Sequence, residues 1–193
     1  MTDKKITEYE KYLRVPELLA LQKTPEEMSC HDELLFQVVH QVEELWMKLV
    51  LHEMAEAGRW MRDGEIACAT YALRRIHIVE WLMAEQLRLV ETLSPRAYFT
   101  IRQGLGRGSG SESPGFNAIL AAAPALWAAF TGVLDRRGKT VLEIHEQPDR
   151  APELFQLAEG MLDFDEYFQR FRTDHLALVR RIIRITGRTE SHT

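Results

Sequence analysis

The sequence predicts an all-α, single-domain helical bundle over residues 1–193. Three observations carry this: apolar residues recur at helical spacing along most of the chain, cap-plus-proline signals open helical segments, and no period-two alternation survives between turn signals. At 193 residues the chain is long enough to enclose one hydrophobic core. Its 46% hydrophobic and 27% charged residues are those of an ordinary globular protein.

The elements follow in order. Thr24-Pro25-Glu26-Glu27 offers a capping residue, a proline at the first helical position and a glutamate able to reach back to the cap. A helix is expected from there to residue 57, with Leu35, Phe36, Val39, Val42, Leu45, Trp46, Leu49 and Val50 as its apolar positions and Gly58 as its stop. A second long helix is expected over residues 65–93, with Ile76, Val79, Leu82, Met83, Leu87 and Val90 on one side. Ser94-Pro95 repeats the cap-plus-proline signal and opens a shorter helix through Tyr98 and Arg102. Residues 104–115 hold five glycines and a proline, which excludes a helix interior. Helical pattern resumes over residues 116–134, again from about Thr140, and finally over residues 163–185. No internal repeat occurs at a solenoid period.

Charge and composition narrow the function classes. A formal charge of −5 argues against nucleic acid as a partner, and the cluster Arg180, Arg181, Arg184 and Arg188 reads as the solvated face of a terminal helix. The two cysteines, Cys30 and Cys68, form neither a disulfide framework nor a CxxC or CxxCH motif. The polar opening predicts no signal peptide. No unbroken apolar run approaches the roughly 20 residues of a membrane span. The expectation is a cytoplasmic protein with no membrane partner.

Seven histidines are the starting points for chemistry. His52, His77 and His145 stand among charged neighbours and read as surface or boundary residues, and His31 as a first-turn residue. His40 falls on an apolar helix face, four residues after Phe36. His175 does the same among Phe171, Leu178, Val179 and Ile182. Each reads either as a hydrogen-bonded core residue or as a ligand. Glu-x-x-His and His-Glu-x-x-His are both absent, so a di-iron bundle and a zinc protease lack their ligand sets. A haem with one axial histidine asks the fewest ligands of the chain. Arg102 stands beside the glycine-rich segment with Tyr98 one turn earlier; it reads either as a surface arginine or as a fork for a carboxylate.

Four blocks, in order, resemble the tryptophan 2,3-dioxygenase family. The first is Tyr9-Glu-Lys-Tyr12-Leu13 with Leu18-Leu19-Ala-Leu-Gln22; the second is His31-Asp-Glu-Leu-Leu-Phe36-Gln-Val-Val-His40-Gln-Val-Glu-Glu-Leu-Trp46-Met-Lys48, ending in His52-Glu53. The third is Glu91-Thr-Leu-Ser-Pro95-Arg-Ala-Tyr98-Phe-Thr-Ile-Arg102-Gln-Gly-Leu105-Gly106, then Ser109-Gly110. The fourth is Phe168-Gln-Arg-Phe171-Arg-Thr-Asp-His175, then Val179-Arg-Arg181. The stretch from about residue 116 to 165 lies outside them, and in the family the segment between the Arg102 block and the haem ligand is longer.

The resemblance implies a cofactor, haem b with its iron, and a set of roles. His175 would be the axial iron ligand, and Ser109 and Gly110 would border the cofactor. His40 would be the distal residue facing the substrate's indole NH. Phe36 and Leu105 would wall the aromatic pocket, and Arg102, supported by Tyr98, would clamp the substrate carboxylate. Thr189 would contact the substrate ammonium. Tyr9, Tyr12 and Leu13 would complete the pocket from a neighbouring subunit of a homotetramer, or of a homodimer. The implied reaction takes an aromatic amino acid and O2 and cleaves the indole C2–C3 bond of tryptophan or a derivative to an N-formylkynurenine-type product. The alternative is a histidine-ligated haem enzyme that hydroxylates tyrosine or a modified tryptophan without opening the ring. A non-catalytic haem-binding bundle is a third reading, but it has no use for a carboxylate clamp.

Overall fold

The computed structural model describes residues 6–106 and 108–189, with side chains described as far as Arg181. Among these residues there are helices and turns and no strand. The elements are α1 (Glu8–Leu13), α2 (Val15–Leu18), α3 (Glu33–Asp63), α4 (Ile66–Val90), α5 (Pro95–Gly104), α6 (Pro114–Arg137), α7 (Val141–Glu146) and α8 (Pro152–Thr189), with 3-10 turns at Gly110–Glu112 and Pro148–Arg150.

Local chemistry explains most of the boundaries. Ser94 caps α5 by accepting from the Ala97 amide, and Pro95 supplies its first turn. Thr140 and Glu143 form a reciprocal capping box at α7. Three boundaries differ from the sequence reading. The Thr24 signal makes only one turn, in which the Glu27 carboxylate accepts from the Thr24 amide. The chain then breaks because Glu33 captures the Ser29 amide and hydroxyl and the Lys23 ammonium, and α3 starts there. Gly58 does not end α3. It is buried in the helix interior against Ala129 and Leu126, and the stop is Gly64, whose φ of 85° suits a residue without a side chain. Finally α8 begins at Pro152, well before residue 163. Leu154, Leu157, Ala158 and Met161 form its buried stripe, and Gly160 lets Leu73 pack on the backbone.

Four long helices, α3, α4, α6 and α8, make an up-down-up-down bundle. The Gly64 turn folds α4 back along α3, and Arg75 pairs with Glu53 across that seam. α6 runs parallel to α3: Gly115 lies against Met47 at one end, and Arg136 donates to the Met61 carbonyl at the other. α8 runs parallel to α4, with Gly160 beneath Leu73 and Asp163 beside His77. Leu73, Ile76, Met61, Met83, Phe130 and Leu157 fill the shared core, each contributing about 1.5–3 kcal/mol by leaving water. By length and composition α6 could cross a membrane, although no apolar run that long is visible in the sequence; here its Ile119, Leu126, Phe130 and Val133 face the core.

α6 and α8 meet only sparsely. The bundle is therefore open on one side, near the start of α3, the start of α6 and the second half of α8. Phe116 of α6 and Phe168 of α8 stack across this gap, their ring centroids 5.2 Å apart.

Candidate functional site

A cavity of about 420 Å³ occupies that opening. Helical periodicity puts His40 and Met47 of α3 on its wall, two turns apart, and α8 presents Phe171, His175 and Val179, each about one turn from the next, from the other side. The α6 start adds Phe116, and the loop ahead of α6 adds Ser109, Gly110 and Ser111. The lining is mostly apolar with a few convergent polar groups, the usual make-up of a small-molecule site.

His40 is locked in one tautomer. Its Nδ1 lies 2.7 Å from the Phe36 carbonyl oxygen, which can only accept, so Nδ1 donates and the lone pair is left on Nε2. The Phe36 ring sits beside the imidazole at a centroid distance of 4.0 Å. Burial pushes His40 below the ordinary imidazole value, more than the Phe36 bond and Glu44 raise it. His175 is also lowered, first by burial and then by the nearness of His40. Both shifts favour the neutral ring.

Two carboxylates on α3 border the cavity and behave differently. Glu44 accepts from the Ser113 hydroxyl at 2.5 Å and from the Gly115 amide at 3.0 Å, which fastens the start of α6 to α3. Ser113 in turn caps α6 through the Phe116 amide. Glu43 has one buried carboxyl oxygen with no partner, and burial followed by repulsion from Glu44 raises its pKa to about 7. Neither glutamate was singled out from the sequence. The available signal was two adjacent acids on a helix face that is otherwise apolar.

A second, smaller pocket of about 300 Å³ adjoins the first through His40. Phe36, Leu105 and Ile101 form its apolar part, and Lys23 and Glu33 its polar end. Glu33 is held below the usual carboxylate range, chiefly by the Lys23 hydrogen bond.

The sequence candidates thus fall into groups. His40, His175, Ser109 and Gly110 share the larger cavity, while Phe36, Leu105 and His40 share the smaller one. Arg102 and Tyr98 border neither. Arg102 is half-buried and donates to the Gly106 carbonyl at 2.8 Å, and Tyr98 packs on the core. Tyr9, Tyr12 and Leu13 lie on α1 with exposures of 71%, 87% and 45% and line neither of these two pockets. The Thr189 side chain lies outside the described residues. Of the remaining histidines, His52 and His31 are exposed. His77 bonds the Gly160 carbonyl and His145 the Glu159 carboxylate, as boundary residues do.

Comparison with known proteins points to one family. A sequence profile described as tryptophan 2,3-dioxygenase matches residues 2–120, the part that carries α1 through the start of α6. A tryptophan 2,3-dioxygenase of Caulobacter vibrioides is 30% identical, covering 91% of this chain and 85% of that protein. One from a Nocardioides species is 31% identical over 91% of this chain and 81% of its own length, and one from an Arthrobacter species is 28% identical over 91% and 79%. The Caulobacter alignment spans 225 residues, more than the 193 of this chain, so that relative carries internal residues that this chain lacks. With the profile covering more than half of the sequence and the motif histidines meeting in one cavity, the chain belongs to the tryptophan 2,3-dioxygenase family.

Proposed function

We propose that this protein is a haem-dependent oxygenase that cleaves the indole C2–C3 bond of tryptophan or a close derivative, both atoms of O2 entering an N-formylkynurenine-type product. The observation that carries the proposal is the convergence of His40 and His175 on one mostly apolar cavity that adjoins an aromatic-walled pocket. The relatives, all named as dioxygenases, favour ring cleavage over hydroxylation of tyrosine or a modified tryptophan.

The residues fit a haem. Among the described residues no three His, Cys, Asp or Glu side chains are grouped to hold a metal ion. His175 offers a neutral imidazole on the cavity wall. Gly110 keeps the edge of that ring clear: a Cβ at position 110 would lie 2.9 Å from Cε1 and 3.3 Å from Nε2. Ser109 and Gly110 would border the bound group. When bound, the haem supplies the redox chemistry with O2.

The chain's own residues do the rest. His40 Nε2, unprotonated because Nδ1 is committed to Phe36, accepts the indole N–H and orients the ring; it is not required as a base. Phe36 and Leu105 hold the ring and exclude water. Arg102, which borders neither pocket while it donates to the Gly106 carbonyl, would have to release that carbonyl and turn to the substrate carboxylate to fix the amino-acid end, with support from Tyr98. Thr189 is assigned to the ammonium. The exposed Tyr9, Tyr12 and Leu13 would complete the pocket of a neighbouring copy in a homotetramer. We place the enzyme in the cytoplasm.

The test is haem reconstitution followed by turnover. The purified protein should show a Soret band that His175→Ala largely abolishes, and tryptophan should gain two oxygen atoms by mass. A His175→Ala variant with full haem occupancy and an unchanged Soret band would overturn the ligand assignment. A product of tyrosine bearing a single added oxygen would restore the hydroxylase reading.

A further inference from the structure

The smaller pocket has a polar end that the proposed reaction does not use. There Lys23 Nζ donates to Glu33 Oε1 at 2.5 Å, and Glu33 Oε2 accepts from the Ser29 amide at 2.6 Å and the Ser29 hydroxyl at 2.8 Å. Glu33 is buried at the start of α3, and the Lys23 backbone is pinned because its amide donates to Gln37 Oε1 at 3.0 Å. An ion pair is thus fixed at the border of a pocket whose other walls include Phe36, Ile101 and Leu105. We propose that this pair selects the substrate, and that the preferred substrate is a tryptophan with a hydroxyl group on the C5–C6 edge of its indole.

The inference deepens the oxygenase reading above and rests on it. Cleavage of the C2–C3 bond requires that bond to face the larger cavity, where His175 stands. The C5–C6 edge is on the opposite side of the bicyclic ring, so it enters the smaller pocket between Phe36 and Leu105. His40 borders both pockets, and Glu33 is seven residues before it on the same face of α3, about 10.5 Å along the helix axis. An indole with a hydrogen-bonded group at each end has a comparable length. An ammonium carries three donors, of which Lys23 spends one on Glu33. Glu33 Oε1 takes that one bond and keeps a lone pair. A hydroxyl can accept from the ammonium and donate to the carboxylate at once, so it satisfies both. Unsubstituted tryptophan sets a C–H edge against the ion pair, and a chlorine desolvates the pair without replacing a hydrogen bond. Lys23 is 38% exposed, so solvent screens its charge and the gain in affinity is modest, about fivefold.

The experiment is calorimetric titration of the ferric holoprotein, which does not turn over, with tryptophan and its 5-hydroxy, 6-hydroxy, 7-hydroxy and 5-chloro derivatives. Wild type should bind the 5- or the 6-hydroxy compound about fivefold more tightly than tryptophan. The 7-hydroxy compound, whose hydroxyl lies beside the ring N–H, and the 5-chloro compound should bind no more tightly than tryptophan. Lys23→Met should erase the preference while leaving tryptophan affinity within about twofold of wild type. The ratio of kcat/KM for the hydroxylated substrate to that for tryptophan should fall in step. A wild type that binds tryptophan at least as tightly as both the 5- and 6-hydroxy compounds would overturn the proposal, with no variant needed. A preference that survives Lys23→Met would overturn it too, by assigning the hydroxyl to another group. A Lys23→Met protein that melts lower and binds every ligand more weakly by the same factor would reduce the pair to a fastening for the segment ahead of α3. Failure to bind haem, or haem binding unaffected by His175→Ala, would instead refute the oxygenase reading, and this inference with it.

Discussion

Replacing Gly115 with alanine adds one methyl group where α6 touches α3. The new Cβ would lie 2.7 Å from the Met47 Cβ and 2.7 Å from the Glu44 carboxylate, and 2.9 Å from the Met47 sulfur. Carbon atoms in contact prefer about 3.5–4.0 Å, so the helices must part by roughly 1 Å. Overpacking of this kind costs about 1–3 kcal/mol. Loosening the bond from the Gly115 amide to Glu44 adds about 1 kcal/mol, and the better helix propensity of alanine returns up to about 1 kcal/mol. The net loss is about 2 kcal/mol, or a fall in Tm of about 4–8 °C for a chain of this size. Far-UV circular dichroism melts of the haem-free protein measure it without the stabilisation a bound ligand would add. Gly132→Ala in the same helix is the control, since its Cβ would meet only the Arg136 guanidinium at 3.5 Å and should raise stability slightly. The reasoning fails if Gly115→Ala melts at or above wild type, or if both variants shift in the same direction.

Other outcomes follow from the same geometry. Glu80 is buried with neither carboxyl oxygen partnered, and burial followed by Asp165 raises its pKa to about 9. The folded state therefore holds a proton that the unfolded chain releases near 4.5, so this residue costs increasing stability as pH rises from about 4.5 to about 9. Glu80→Gln should flatten that decline and melt higher than wild type at pH 8; a parallel pH profile would show that Glu80 is ionised when folded. Gly110→Ala should weaken haem binding about tenfold or more while leaving the apo-protein melt nearly unchanged, because its Cβ meets the His175 ring from an exposed turn. Soret titrations with equal affinities would remove Gly110 from the cofactor border. Arg102→Ala should lose about 2–4 kcal/mol of transition-state binding with haem content preserved. Tryptamine reacting as well as tryptophan in the wild type would show that Arg102 is no clamp.

Sequence pattern alone determined the helical class, the capped start at Ser94, a helical start near Thr140, and the placement of His40 and His175 on apolar faces. These are local properties, since i, i+3 and i+4 neighbours and a cap's hydrogen bonds involve residues within one turn. It misplaced the start of α3 because Glu33 takes its partners from Lys23 and Ser29, a competition among side chains that a capping pattern does not register. It read Gly58 as a stop because glycine permits a helix to end, whereas here it permits another helix to approach. The motif resemblance supplied the candidate site residues, yet which of them share a cavity was decided in three dimensions. His40 and His175 come together because α6 is clamped to α3 at Gly115 while α8 follows α4, and the two outer helices diverge around a gap. The roles of Glu43 and Glu44 were decided there too, since the same side chain on adjacent residues finds two donors in one case and leaves a buried oxygen without any in the other. A periodic pattern states which face of a helix is apolar; only packing determines what that face encloses.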